Sequence, residues 1–229
     1  MRVMKFGGTS VGNAEAIDQT ARILAEAYWS GEPVVAVVSA MSGVTNQLLA
    51  SAAAAASGQG DASSELRQFL LDRHLPVVAE LVHDLGRRAQ VTVTLEEIAS
   101  RCARLVESVH ILGDLSPRAQ DWIVSFGERM SSVLVASVLQ DRGIPAVAVE
   151  SDQVIVTDDA FGNASPLLDQ TRARAQERLG PLLAERKLPV VTGYFGATAS
   201  GSVTTLGRGG SDYSASILGY ALDADEVWI

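Results

Sequence analysis

Short apolar runs alternate with longer amphipathic stretches along this chain. Arg2–Phe6 (RVMKF), residues 33–39 (PVVAVVS), residues 145–149 and Leu188–Thr192 (LPVVT) are brief and mostly apolar, the second of them rich in β-branched valine. Such runs suit strands of a parallel sheet buried on both faces. Residues 226–229 begin one more. Between them the spacing predicts helices. One follows Asn13, a plausible N-cap, as far as Ala25. Another opens at Gly43 and runs through the Ala52 to Ala56 tract, which is helix-favouring and carries no chemistry. Residues 57–64 (SGQGDASS) read as a surface loop, and helices dominate from Glu65 to Arg142. Within that region Thr94 and Glu97 have capping-box spacing, and Ser116-Pro117 marks a helix start. Ser165-Pro166 starts a long helix that breaks near Gly180-Pro181. Strand, helix and strand in alternation predict an α/β fold with a mainly parallel central sheet covered on both faces, and the helical stretch is expected as a layer or lid beside the substrate.

Composition narrows the functional classes. Of 229 residues, 27 are Asp or Glu and 18 are Lys or Arg, for a net charge of −9. That balance argues against nucleic acid, which calls for clustered basic residues. No apolar run reaches the roughly 18–20 residues that span a bilayer, and the first residues do not read as a signal or transit peptide. Cys102 is the only cysteine. It excludes an internal disulfide and makes a cytoplasmic setting the expectation. His74, His83 and His110 have no metal-ligand spacing and read as surface or packing residues.

Against an acidic background, basic residues inside glycine-rich loops stand out. Lys5-Phe6-Gly7-Gly8-Thr9-Ser10-Val11 follows the first strand. Gly7 and Gly8 allow close backbone approach, Lys5 brings a mobile charge, and Thr9 and Ser10 bring hydroxyls, a combination suited to phosphate. Gly7 and Gly12 have Walker A spacing, but Asn13 and Ala14 stand where Lys and Ser or Thr belong. A dinucleotide fingerprint is absent too. Near the other end lies Thr204-Thr205-Leu206-Gly207-Arg208-Gly209-Gly210-Ser211-Asp212-Tyr213. Arg208 can grip a carboxylate. Gly209, Gly210 and Ser211 lead into a helix whose first amides favour anions, and Asp212 stays ionised there to orient a lysine or an ammonium group. Ser39 and Thr45, after a central strand, either cap the next helix or hydrogen-bond a small acid. Gly127 in a helical pattern signals close approach. Spacing alone reads Glu128 as an exposed glutamate paired with Arg129 or solvent. Together the loops point to phosphoryl transfer.

KFGGTSV, SAMSGVTN, SFGERMS and TTLGRGGSDY, in this order across the whole chain, resemble the aspartate kinases of the amino-acid kinase family. The resemblance implies a three-layer α/β/α sandwich over residues 1–229. It also implies ATP- and Mg²⁺-dependent phosphorylation of the side-chain carboxylate of L-aspartate, the first step toward lysine, threonine and methionine. Lys5 would stabilise the transferring group, Gly7, Gly8, Thr9, Ser10, Gly209 and Gly210 would cradle ATP phosphates, and Asp212 would organise the catalytic charges. Ser39, Thr45, Glu128, Tyr194, Arg208 and Ser211 would hold aspartate, with Glu128 on its ammonium. Family members continue into a nucleotide lobe and ACT domains. The expectation is therefore an incomplete catalytic domain without an ACT domain, from a protein that forms homo-oligomers. Two alternatives stay open: a non-catalytic aspartate-binding or subunit-interaction module, and a sister kinase acting on glutamate, N-acetylglutamate or UMP.

Overall fold

The computed structural model describes residues 1–229. In chain order the elements are β1 (Arg2–Phe6), α1 (Ala14–Trp29), β2 (Val34–Val38), α2 (Val44–Ala56), α3 (Ala62–Leu81), α4 (Leu85–Leu112), α5 (Pro117–Val124) and α6 (Phe126–Asp141). Then come β3 (Ala146–Val149), a 3-10 turn (Ser151–Gln153), β4 (Val156–Thr157), α7 (Leu168–Ala184), β5 (Leu188–Thr192), β6 (Phe195–Thr198), β7 (Val203–Thr205), α8 (Gly210–Ala221) and β8 (Glu226–Trp228). The main sheet has the order β3-β5-β2-β1-β8, and all its pairings are parallel. A smaller sheet, β4-β6-β7, pairs β4 parallel and β7 antiparallel to β6.

Alternation along the strands builds two apolar cores. Met4, Phe6, Val34, Ala36, Val38, Leu188 and Val190 face the side covered by α1 to α6. Val3, Val35, Val37, Val149 and Val191 face α7 and α8, where Ala175, Leu179, Ala215 and Leu218 meet them. A side-chain period of two sends successive residues to opposite faces, so continuous apolar strands need helices on both. The expected sandwich follows, with the larger core on the helix-rich side. The helix-rich stretch forms α3 to α6, which pack with α1 and α2 in that larger core.

Several boundaries differ from the sequence reading. Thr94 lies inside α4 and caps nothing: its hydroxyl donates to the Gln90 carbonyl at 3.0 Å, the back-bonding open to a mid-helix threonine. The cap of α4 is Asp84, which accepts from Arg87 N–H at 2.7 Å. The helix expected from Ser165-Pro166 begins at Leu168 and runs through Gly180-Pro181, because Pro181 falls in its closing turns and removes only one donor there. The loop over residues 57–64 is shorter, with α3 starting at Ala62, and α1 continues past Ala25 to Trp29. Strands β4, β6 and β7 have two to four residues each, too few for periodicity to register. The stretch Pro117–Asp141, which joins α5 and α6, is apolar and long enough to span a bilayer, yet 89% of its most apolar window is buried inside the protein. It is a core helix.

Cys102 is fully buried, and burial pushes its thiol up to about 12. His74 is also buried in the helical layer. Its Nδ1–H donates to Leu70 O at 2.7 Å and Nε2 has no partner. Burial lowers its pKa from 6.5 to about 4. The folded state therefore favours neutral His74. That contribution is complete above pH 6.5 and is lost as pH falls toward about 4. Urea unfolding midpoints measured at pH 7 and pH ~5 should show a smaller acid-side decline in His74→Leu than in the parent.

Candidate functional site

The carboxyl ends of β1, β2 and β5 converge on one cavity of about 650 Å³. In open α/β sheets this edge is where ligands bind. Lys5 and Gly8 come from the end of β1, Ser39 to Thr45 from the turn after β2, and Tyr194 from the turn after β5. The remaining wall is Glu128 of α6, Gly162, and residues Gly207 to Asp212 at the start of α8.

Tight backbone packing makes this convergence possible. The β1–α1 turn folds on itself through Val11 N–H to Gly7 O at 3.2 Å, and Ser42 N–H donates to Gly8 O at 3.2 Å. A methyl group on Gly8 would sit 3.0 Å from the Ala40 carbonyl. One on Gly127 would sit 2.7 Å from Ala40 Cβ. That contact is why a glycine stands inside α6: it lets the helix press against the β2–α2 turn. Arg73 of α3 adds a tie, donating to Gly12 O at 3.1 Å and Ser42 O at 3.3 Å.

Lys5 forms an ion pair with Asp212, joining the two glycine-rich loops across the cavity. Arg208 is exposed and has no ion-pair partner. Glu128 is only 2% exposed. Its Oε1 accepts from Ala40 N–H at 3.1 Å, whereas Oε2 is buried without a partner. Burial pushes its pKa up to about 8, against the opposing pull of the Ala40 amide and the neighbouring Arg129. The exposed glutamate expected from spacing is thus corrected. Arg129 faces elsewhere, paired with Glu150 and Asp152 and stacked on Trp122 and Phe195.

Tyr194 has φ of +75°, rare for a residue with a side chain. Its N–H donates to Ser214 Oγ at 3.0 Å and its carbonyl accepts from Leu206 N–H at 2.9 Å. Gly210 packs against the ring, where a Cβ would be 2.8 Å from Tyr194 Cδ2. Burial, then the charge of Glu128, raises the phenol pKa. Strain of this kind costs about 1–3 kcal/mol and persists where the surroundings enforce it.

The structure therefore brings Lys5, Gly8, Ser39, Thr45, Glu128, Tyr194, Arg208, Gly209, Gly210, Ser211 and Asp212 around one space. Gly7, Thr9 and Ser10 are not on its wall. Gly7 instead makes room for the Lys5 ammonium, and Thr9 and Ser10 use their carbonyls to accept from Gly12 N–H and the Thr20 hydroxyl. Asn46, Leu49 and Gly162 line the cavity without having been singled out. Asn46 lies within a motif already noted. Gly162 lies in a loop whose proximity is created only by the tertiary fold.

Fold and cavity define an α/β protein with glycine-rich loops carrying Lys5 and Arg208 beside the buried Glu128. The sequence matches the amino acid kinase family over residues 1–229, and the chain belongs to that family. It is 36% identical over 99% of its length to aspartokinase 3, chloroplastic, of Arabidopsis thaliana, covering 40% of that protein. Against lysine-sensitive aspartokinase 3 of Escherichia coli it is 33% identical over 98% of its length and covers 47%. The crystal structure of E. coli aspartokinase III in complex with aspartate and ADP superposes with a TM-score of 0.85 at 32% identity, over 99% of this chain and 48% of that one. The chain thus spans less than half the length of these relatives.

Two outcomes test the geometry. Gly127→Ala should lose about 1–3 kcal/mol of stability by overpacking against Ala40, measured by urea unfolding. Glu128 has its pKa raised in the folded state, from 4.5 to about 8. Ligand-free stability should therefore decline as pH rises through that interval. Thermal melts of Glu128→Gln should lack the decline between pH ~6.5 and ~8.5, where His74 no longer contributes.

Proposed function

We propose that this chain carries the aspartate-binding and phosphoryl-contacting part of an ATP-dependent aspartate kinase. One observation carries the reading: the cavity offers one unpartnered oxygen of Glu128, Oε2, and a guanidinium at Arg208 with no ion-pair partner. That pair complements a ligand bearing both an ammonium and a carboxylate. Oε2 of Glu128, buried and unpartnered, calls for a cationic donor. An acetylated amine would not supply the charge, which favours a free amino acid over N-acetylglutamate, and nothing here complements a pyrimidine. Arg208 would take a carboxylate in fork geometry. Ser39, Thr45 and Ser211 supply further polar groups within the same wall. The relatives named aspartokinases, and the solved complex with aspartate and ADP, support this choice of substrates.

In the proposed reaction a side-chain carboxylate oxygen of aspartate forms a bond to the terminal phosphorus of ATP as the bond to ADP breaks. The nucleophile is already ionised at neutral pH, so no general base is needed. Repulsion between two anions is the obstacle, and positioning with charge neutralisation is the remedy. Lys5 would serve that end. Its present pairing with Asp212 holds it at the mouth of the glycine-rich loop, and an arriving phosphoryl group competes for it. The amides around Gly8, Gly209 and Gly210 border the same space. The lone Asp212 carboxylate fits a Mg²⁺ that takes most of its oxygens from phosphate and water, and the ion supplies further charge neutralisation when bound.

The setting is proposed as lysine, threonine and methionine synthesis, within a longer oligomeric protein. Calorimetric titration of the chain should show L-aspartate binding in preference to L-glutamate. Arg208→Ala should weaken aspartate by about 1.5–3 kcal/mol, the worth of charge-assisted hydrogen bonds. Unchanged affinity in that variant would remove Arg208 from the site.

A further inference from the structure

Glu128 lines the cavity from inside the protein. Oε1 has one donor, the Ala40 amide at 3.1 Å, and Oε2 is buried with none. No lysine, arginine or histidine forms an ion pair with the group. Loss of water without a counter-charge favours the neutral form of a carboxyl group. One amide does not offset that loss, and the pKa rises from 4.5 to about 8. Near neutral pH the ligand-free carboxyl therefore keeps its proton.

The charges of the surrounding elements are committed elsewhere. The β2–α2 turn and α2, residues 39–56, contain no ionisable side chain, and neither do β2, β3 and β5. Arg129, the next residue of α6, holds Glu150 and Asp152. On α5, Asp121 accepts from Gly162 N–H, from Thr205 N–H and from the Thr205 hydroxyl. In the helical layer Arg73 of α3 donates to the Gly12 and Ser42 carbonyls, His74 is held neutral by burial, and Arg101 of α4 lies over the Phe126 ring. Asp18 of α1 and Arg87 of α4 pair with Arg142 and Asp141 at the far end of α6. In the cavity Lys5 and Asp212 hold each other, and burial keeps the Tyr194 phenol uncharged. Arg208, the remaining cation of the wall, forms no ion pair.

An ammonium group placed against Oε2 supplies what that oxygen lacks. It brings N–H donors and an opposite charge at contact distance, which favours the ionised carboxylate. We propose that the arriving α-ammonium drives the proton off Glu128, so that L-aspartate binds this chain with release of a proton to solvent. The proposal rests on the aspartate reading above. The O–H bond of the Glu128 carboxyl breaks, its electron pair stays on the carboxylate, the proton passes to the buffer, and the ammonium keeps its three hydrogens. The protonated chain is then the form that does not take the ligand, and apparent affinity scales with the ionised fraction. L-Aspartate itself keeps one charge state around neutral pH, so the pH dependence belongs to the protein.

The experiment is calorimetric titration of the chain with L-aspartate in PIPES, HEPES and imidazole, buffers of different ionisation enthalpy. The dependence of observed heat on that enthalpy counts protons, and about 0.9 should be released at pH ~7. Affinity should tighten about 50-fold from pH ~6 to pH ~8 and flatten above. Equal heats in all buffers, with affinity flat in pH, overturn the proposal alone. A folded chain that does not bind aspartate overturns the aspartate reading and the proposal with it. Glu128→Gln identifies the source: it should bind more weakly and release almost no proton, and undiminished release assigns the proton to another group. Where that variant does not fold or binds too weakly, infrared difference spectra of the parent decide. The carbonyl band of a protonated carboxyl should disappear when aspartate is added, and its persistence overturns the proposal.

Discussion

The close approach of α6 to the β2–α2 turn is the constraint on which the site depends. Gly127 lacks the Cβ that would sit 2.7 Å from Ala40 Cβ and press the helix away. The next residue can then place its carboxylate under the Ala40 amide and inside the protein. Without that approach Glu128 would be an ordinary solvated side chain, and its second oxygen would have water for company. With it, a charge-seeking oxygen faces the cavity in a medium where electrostatic interactions are strong. The neighbouring Arg129 shows how local the effect is. One residue along the same helix, it leaves the cavity for Glu150, Asp152 and aromatic faces. The carboxyl group and the guanidinium of adjacent residues thus take separate partners.

The remaining parts of the site are arranged around that fixed point. Lys5 and Asp212 neutralise each other across the loop mouths, so the free state does not leave a bare cation among glycines. Tyr194 is held in a left-handed conformation by Ser214, Leu206 and Gly210. Arg73 anchors the two turns from the helical layer. Each of these contacts joins segments distant in the chain, which is how a cavity at a sheet edge acquires rigidity that its loops lack alone.

Much of the architecture was legible in the sequence because buried parallel strands carry an unbroken apolar signal. The runs at residues 33–39 and 188–192 gave β2 and β5 almost to the residue. The glycine-rich loops with Lys5 and Arg208 were legible for a different reason, since basic residues among glycines are scarce in an acidic chain. Thr94 misled because capping-box spacing recurs inside helices, and only the hydrogen bond to Gln90 shows which role the hydroxyl has taken. The small sheet escaped notice because strands so short owe their existence to partners, not to pattern. Asp121 and Gly162 were beyond reach for the same reason: their meaning lies in the hydrogen bond between them.

The long apolar stretch through α5 and α6 has a consequence for synthesis. α4 and α1 cover part of it, and its burial is completed by β3 and β5, which lie after it in the chain. A ribosome therefore exposes some two dozen residues of bilayer-like character before translation supplies the strands that cover them. During that interval the nascent chain presents the kind of surface that holdase chaperones bind and that drives aggregation when they are scarce. The helix that carries the site's buried carboxylate thus waits for strands that are made after it.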